Sequence, residues 1–464
     1  MFNQMRHSEA NMETRIRPIL TIVLSLLAAT IAPADDWKPL FDGKSFDGWK
    51  QLGGQAKYSI ENGEIVGRSV ADTPNSFLAT ETDYTDFVLE FEFWVQDGLN
   101  SGVQFRSMSK PDYRDGRVHG YQYELDTSSR AWTAGIYDEA NRGWLYPVEY
   151  NPSARSLFKN EQWNQARIEC VGNEAQTFLN GRQVSHLVDD RAITGFIGLQ
   201  VHSIRDTSHA GYQVRWRNLR INTKSPKLSR SEEIYVRNVA PNSMSKTEKE
   251  RGWSFLFDGK RTSAWKGISD VDPFNDDGWI VEDGALTIQP GGKGGQIITK
   301  KTYGAFELDF DFRLTKGANS GVKYFVVDHA KPGAKKSQYL GLEYQVLDDE
   351  VHPDGKKGAV GNRTTALLYD LIPPYRNVNT RDVPLHIGEW NHGRIISRPN
   401  GTIEHWLNGF KVVEYERGTN IYDALIARSK YAEIENFGLS EKGHILLQDH
   451  NDLVSYRSIK IREL

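Results

Sequence analysis

Residues 306–321 read FELDFDFRLTKGANSG, with Phe306, Leu308, Phe310, Phe312 and Leu314 alternating against Glu307, Asp309, Asp311 and Arg313. A period of two marks a β-strand with one face in a core and one in water. Glu307, Asp309 and Asp311 are therefore expected on the wet outer face of a sheet. Residues 87–102, FVLEFEFWVQDGLNSG, repeat the alternation, and the Asn of Asn-Ser-Gly falls at the same offset from the first Phe in both stretches. The repeat predicts two similar domains.

Other matched stretches extend it. LFDG occurs at 40–43 and 256–259, each time with a Trp seven residues past the Asp, at Trp49 and Trp265. YSIENGEIVG (58–67) and WIVEDGALTI (279–288) read as hairpins with Asn-Gly or Asp-Gly at the tip. Trp163-Asn164 and Trp390-Asn391, then Leu-Asn-Gly at 179–181 and 407–409, then GFIGLQVH (195–202) and GHILLQDH (443–450), complete the two series. Short aromatic strands between Gly and Asn turns, with little helical periodicity, predict an all-β chain: two jelly-roll β-sandwiches in tandem. The expected boundaries are a first domain at 35–223, a linker at 224–250 and a second domain at 251–464. Within the linker, 232–239 is a candidate edge strand, and a short helix is expected around Tyr422–Ser429, where apolar residues fall at helical intervals.

Composition narrows the function. A chain of 464 residues suits two domains of ordinary size. A net charge of −4 with a pI near 6.3 gives no electrostatic footprint for nucleic acid. Arg6, Arg15 and Arg17 precede the apolar run 19–31, and Ala32-Pro33-Ala34 resembles a cleavage site, so residues 1–34 are read as a secretory signal peptide, with Met12 an alternative start. The apolar run is too short for a stable membrane span. A secreted or periplasmic protein is expected. Cys170 is the only cysteine, which precludes an internal disulfide, and it reads as a small buried hydrophobe.

Candidate chemistry gathers after the repeated strand. Glu343 and Gln345 share one face of the strand 341–348 by period two, and Asn319 and Asp348 lie at strand ends. A carboxylate and an amide on one face can grip sugar hydroxyls, or the carboxylate can serve as a base. In the first copy Gln122 and Glu124 stand in the opposite order, near Asn100. Arg142, Tyr137 and Trp144, and in the second copy Arg363 and Tyr369, suit a sugar through donors and ring faces. His202 and His450 recur two residues after a Gln and are placed as proton donors or acceptors. A hard cation such as calcium or manganese is a weaker option, since no fixed-spacing ligand motif is present. PGGKGG (290–295) lacks a Walker pattern and reads as a surface loop.

With LFDGKSFDGW (40–49), NSGVQF (100–105), GYQYELD (120–126), IYDEANRGWLY (136–146), LNG and GFIGLQVH in one half, and LFDGKRTSAW (256–265), NSGVKY (319–324), GLEYQVLDD (341–349), GNRTTALLYDLIPP (361–374), GEWNHGRI (388–395), WLNG and GHILLQDH in the other, each half resembles the 3-keto-disaccharide hydrolase domain family. The resemblance implies a concanavalin A-like jelly roll and cleavage of glycosides already oxidised at sugar C3. A ketone there acidifies the C2 proton, so a base can expel the C1 oxygen by β-elimination before water adds; hydrolysis by two carboxylates is the competing route. On that implication Glu343 or His450 is the base, Arg363 or a bound cation polarises the ketone, and Asn319, Gln345 and Asp348 orient the sugar. Asn100, Arg106, Gln122, Glu124, Tyr137, Arg142 and His202 play the corresponding parts in the first half. No dinucleotide fingerprint is visible, so a separate sugar 3-oxidoreductase is expected to supply the ketone. The exchanged Gln and Glu suggest that the halves take different substrates or that one alone is active. The rival reading keeps the fold and makes the halves tandem lectin-like modules.

Overall fold

The computed structural model describes residues 36–268, 273–274, 278–330, 336–373, 383 and 385–464. The signal peptide expected at 1–34 lies outside them. Four sheets dominate, and the repeated stretch sits centrally in two of them. In the larger sheet of the first half, Phe87–Val95 pairs antiparallel with Asn164–Val171 on one side and Gln213–Asn222 on the other. In the second half Phe306–Leu314 lies between Asn391–Ser397 and Val454–Glu463. The apolar sides of these strands meet a smaller sheet face to face: Phe91 packs edge-on to Tyr123 at 5.7 Å, and Phe310 to Tyr344 at 5.2 Å. Each half is thus an antiparallel β-sandwich, as the alternation predicts.

The smaller sheets carry the strands of interest. In the first, Gly143–Tyr146, Ile136–Glu139, His119–Leu125, Ser101–Met108, Phe196–Val201, Ser76–Thr80 and Trp49–Gly53 follow in spatial order; in the second, Tyr339–Leu347, Asn319–Asp328, His444–Leu447, Ile297–Thr299 and Trp265–Gly267. One face of each closes the core and the other is left for a site.

Several repeated motifs prove to be framework. Trp49 and Trp265 donate their indole N–H to the carbonyls of Leu40 (3.2 Å) and Leu256 (2.8 Å). Asp42 and Asp258 accept from backbone amides two and three residues on, which fixes the turn between. Asn180 donates to Asn164, and Asn408 to Asn391, locking each Leu-Asn-Gly hairpin onto the strand that opens with the other asparagine. Asn62-Gly63 and Asp283-Gly284 all take positive φ, as a two-residue hairpin turn of the primed type requires.

The expected wet face of the second half is covered. Glu307, Asp309 and Asp311 are 5%, 3% and 6% exposed. The segment between the halves lies over them: Tyr235 donates to Asp309 at 2.6 Å, Arg237 reaches His392 at 3.1 Å, and His392 lies 3.2 Å from Asp311. Arg394 lies under the Tyr235 ring at 3.8 Å and pairs with Glu307 at 3.2 Å. Burial pushes the Asp311 carboxyl up, but His392, Arg237 and Arg457 outweigh it and hold it at about 2. Alternation reports only that these acids leave their own core, and a second surface then takes them in. In the first half the matching Glu90 and Glu92 stay partly exposed.

The same segment adds the parallel edge strand Arg237–Asn238 beside Leu187 and Val188. It then forms the helix Lys246–Glu250, capped by a reciprocal Ser245–Glu248 box, and Glu248 pairs with buried Lys460. Apolar contacts reinforce the junction: Trp406 stacks on Tyr150 at 5.7 Å, Phe410 lies 5.7 Å from Trp132, and Trp406 and Ile396 belong to the first half's own core cluster. The expected helix near 422 is present as Asn420–Ile426, N-capped by Thr419. Cys170 is buried in the first core, its thiol pushed up to about 12 by that burial.

Candidate functional site

In the second half the strand pairing sets Lys323 directly opposite Glu343 and Gly321 opposite Gln345. Lys323 and Glu343, 9% and 4% exposed at their side chains, approach to 3.3 Å. Gln448 arrives from the neighbouring strand. With its amide nitrogen turned toward the carboxylate, it lies 3.0 Å from Glu343 Oε1 and its oxygen 3.1 Å from Lys323 Nζ, and His450 Nε2 is 3.0 Å from the same amide. Gly321 makes this convergence possible, since a Cβ there would come within 2.7 Å of Glu343 Oε1 and 3.0 Å of Gln448. Burial lowers the His450 pKa below the ordinary imidazole value, opposed by Glu343 and reinforced by Lys323. His450 is a neutral proton acceptor at neutral pH.

A second network adjoins this floor. Arg363 donates to Asp370 at 2.8 Å and to Asp354 at 3.1 Å, and Tyr369 donates to Asp354 at 2.7 Å. Lys430 places its ammonium 4.1 Å over the Tyr369 ring, and its backbone N–H donates to Asp370 at 3.0 Å. Arg363 is thus held between two carboxylates. Asp348 ties two loops together, accepting from the backbone of Gly317 in the turn before Asn319 and of Glu350 and Val351 in its own loop. Gln345 turns its oxygen to the Val346 amide at 3.1 Å, and Asn319 Oδ1 is buried with no hydrogen-bond partner among the described residues.

The first half opens a cavity of about 970 Å³ over the matching face, lined by Asn100, Gln122, Glu124, Arg130, Tyr137, Trp144 and His202 among others. Its floor is a ladder of amides: Gln104 donates to Gln122 at 2.5 Å, Gln122 to Glu124 at 2.8 Å, and Asn100 to Glu124 at 2.7 Å. Burial raises the Glu124 carboxyl to about 7, opposed by the donors Asn100 and Gln122 and by Arg130. The carboxyl is half-protonated near neutrality and can give or take a proton. Trp144 packs against Trp132 and Tyr137 at 4.7 and 5.1 Å, with Arg130 4.9 Å over its ring. His202 Nδ1 is 2.7 Å from the Ser203 carbonyl, so Nδ1 carries a proton and donates it there.

Two of the expected first-half residues lie elsewhere. Arg106 takes positive φ at a bulge, is 1% exposed, and donates to Thr85 O, Gly172 O and Asp86. It braces the sandwich and does not line the cavity. Arg142 is clamped between Asp138 and Asp189 and lines a separate cavity of about 940 Å³ between the halves. Sequence reasoning passed over Lys323, Gln448, Lys430 and Arg130. The signal for Lys323 was present, because NSGVKY carries Lys where NSGVQF carries Gln, directly across from Glu343.

Among the described residues no group of three or more His, Cys, Asp and Glu side chains is arranged to hold a metal ion. The cation beside Glu343 is the chain's own Lys323. No helix among the described residues is long and apolar enough to cross a membrane.

The sequence pattern of the 3-keto-alpha-glucoside-1,2-lyase-like domain matches residues 36–222 and again 252–462. A curated relative from Bacteroides thetaiotaomicron, named 3-keto-disaccharide hydrolase, is 33% identical over 237 residues, covering 46% of this chain and 79% of the relative. A solved structure from Parabacteroides distasonis, described as a candidate glycosyl hydrolase, is 30% identical, covers 48% of this chain and 99% of its own, and superposes with a TM-score of 0.41. A carbohydrate-binding module from Bacillus subtilis is 19% identical, covers 37% and 94%, and gives a TM-score of 0.27.

Proposed function

The chain belongs to the 3-keto-alpha-glucoside-1,2-lyase-like domain family, twice over, and from that premise we propose that it cleaves glycosides bearing a ketone at sugar C3. The observation that carries this reading is the convergence of Lys323, Glu343, Gln448 and His450 on one face of the second half's smaller sheet. Elimination needs a base at the C2 proton, and Glu343 is a carboxylate held in place by a lysine and an amide. His450, which burial favours in its neutral form, is bridged to Glu343 by the Gln448 amide, which orients both side chains. Glu343 takes the C2 proton and the C–H pair forms the enolate. Its collapse restores the ketone, makes the C1–C2 double bond and expels the glycosidic oxygen, which regains the proton; water then adds at C1. The sequence is redox-neutral, so the ketone must come from an oxidoreductase acting before this enzyme.

The first half, by the same proposal, holds sugar. Its amide ladder and the Tyr137–Trp144 wall offer hydrogen bonds and ring faces, and its Glu124 pairs with the part-exposed Arg130 at 3.5 Å where Glu343 meets the buried Lys323 at 3.3 Å. The test is incubation of the full chain with a disaccharide oxidised at C3, following release of aldose and of the unsaturated keto sugar. Release is expected from the keto sugar and none from its unoxidised parent. Binding of either sugar without turnover would leave a tandem lectin instead.

A further inference from the structure

We propose that Lys430 is a catalytic residue of the second half, its ammonium holding the ketone oxygen of the substrate as negative charge develops there, and that the insertion carrying it confines the reaction to that half. This rests on reading the site as one for 3-keto glycosides.

The two copies differ by only a few residues between matched motifs until the strand after Leu-Asn-Gly. From Gly181 the first copy reaches the Gly195 that opens its His-bearing strand directly, whereas the path from Gly409 to Gly443 is more than twice as long. The extra chain is folded, with the helix Asn420–Ile426 at its start. The Tyr422 hydroxyl donates to the Phe437 carbonyl at 2.7 Å, and Tyr431 stacks on Phe437 at 3.9 Å, so the segment is closed on itself. Its attachment to the site is Lys430, whose N–H is held by Asp370 while its ammonium lies 4.1 Å over Tyr369 and 5.1 Å over Tyr431.

The other cations of this site are paired, Lys323 with Glu343 and Arg363 with Asp354 and Asp370. Lys430 has no carboxylate within ion-pairing distance among the described residues, and rests instead on two ring faces. Lys430 is exposed as a residue, yet burial is the largest influence on its ammonium and lowers its pKa; Glu343 and Asp370 oppose this, while Lys323 and Arg363 add to it. An ammonium with open donors in reach of the base's field is what an enolate oxygen requires, because the interaction strengthens as charge builds. Elimination then divides between two sides of the sugar, with Glu343 taking the C2 proton and Lys430 donating to the oxygen on C3. No oxidant enters and the ammonium keeps its proton overall.

The experiment is steady-state cleavage of a 3-keto disaccharide by the full chain and by Lys430→Met, Lys430→Arg and Glu343→Gln, with melting temperatures for each. Lys430→Met is expected to lose about a hundredfold in kcat with KM changed less than about threefold and melting unchanged. Lys430→Arg is expected to recover part of the rate and to shift the alkaline limb of the kcat profile upward, since arginine keeps its proton. A Lys430→Met enzyme within about threefold of the parent kcat, while Glu343→Gln is inactive, overturns this inference and leaves the proposed function standing. A parent chain that releases nothing from the keto sugar overturns both.

Discussion

The two halves share a strand pairing and differ in what it presents. In the first, Gln104 faces Gln122 and the carboxyl of Glu124 sits opposite Gly102; in the second, Lys323 faces Glu343 and the amide of Gln345 sits opposite Gly321. The carboxyl has moved two residues along a strand, about 6.7 Å. At one position it is buried among amides, with the part-exposed Arg130 3.5 Å away, and burial raises it to about 7; at the other it meets the buried ammonium of Lys323. The same fold can therefore set its glutamate among amides and a part-exposed guanidinium or against a buried ammonium, according to which of two adjacent pleats holds it. A duplicated scaffold thus gives its two floors different side-chain surroundings by exchanging neighbours while the strand pairing is kept.

The largest test of that contrast is in turnover. Glu343→Gln is expected to lower kcat on a 3-keto disaccharide about a thousandfold, and Glu124→Gln less than about tenfold. The reverse order would transfer the chemistry to the first half. Next is the junction. Trp406→Ala should cost about 4 kcal/mol and split one calorimetric transition into two, because the first half's core is then opened from the second half's side. A single transition at the parent temperature would show that the halves do not share a core.

The first half then gives a pH signature. Glu124 ionises near 4.5 in the unfolded chain and at about 7 in the fold, so the folded state holds the proton more tightly. Its contribution to stability is full below 4.5 and is lost as pH rises through about 7. Urea unfolding of the parent against Glu124→Gln between pH 4 and pH 8 should change by about 3 kcal/mol in favour of the variant. No pH-dependent difference would mean the carboxyl is not desolvated. The smallest effect belongs to the covered face: Tyr235→Phe removes a donor from Asp309 and should cost about 2 kcal/mol, and the corresponding first-half acids Glu90 and Glu92 have no such hydroxyl to lose.

The sandwich architecture was legible because alternation at Phe87–Val95 and Phe306–Leu314 reports burial directly. The face occupied by Glu343 was legible for the same reason, since period two places Glu343 with Gln345 and Gln122 with Glu124. Which of those side chains meet was not, because cross-strand register sets Lys323 against Glu343 and no local pattern carries register between distant strands. Arg106 misled for a related reason: it directly follows the NSGVQF stretch, but a bulge with positive φ turns its side chain into the framework. Glu307, Asp309 and Asp311 were misplaced because periodicity is blind to a second layer of chain. The Ser245–Glu248 box was present in the sequence as Ser-Lys-Thr-Glu and marks the one helix in the expected linker.

The stack of Trp406 on Tyr150 also bears on how such a pair can change over time. A duplicated domain joined by a slack tether can be deleted at little risk to its twin. Here deletion of either half would strip an aromatic wall from the survivor and leave Ile396 and Trp406, or the residues they cover, facing water. The first half is thus protected from loss by its neighbour's need for it. That protection allows its floor to differ from its twin's without the copy itself becoming dispensable.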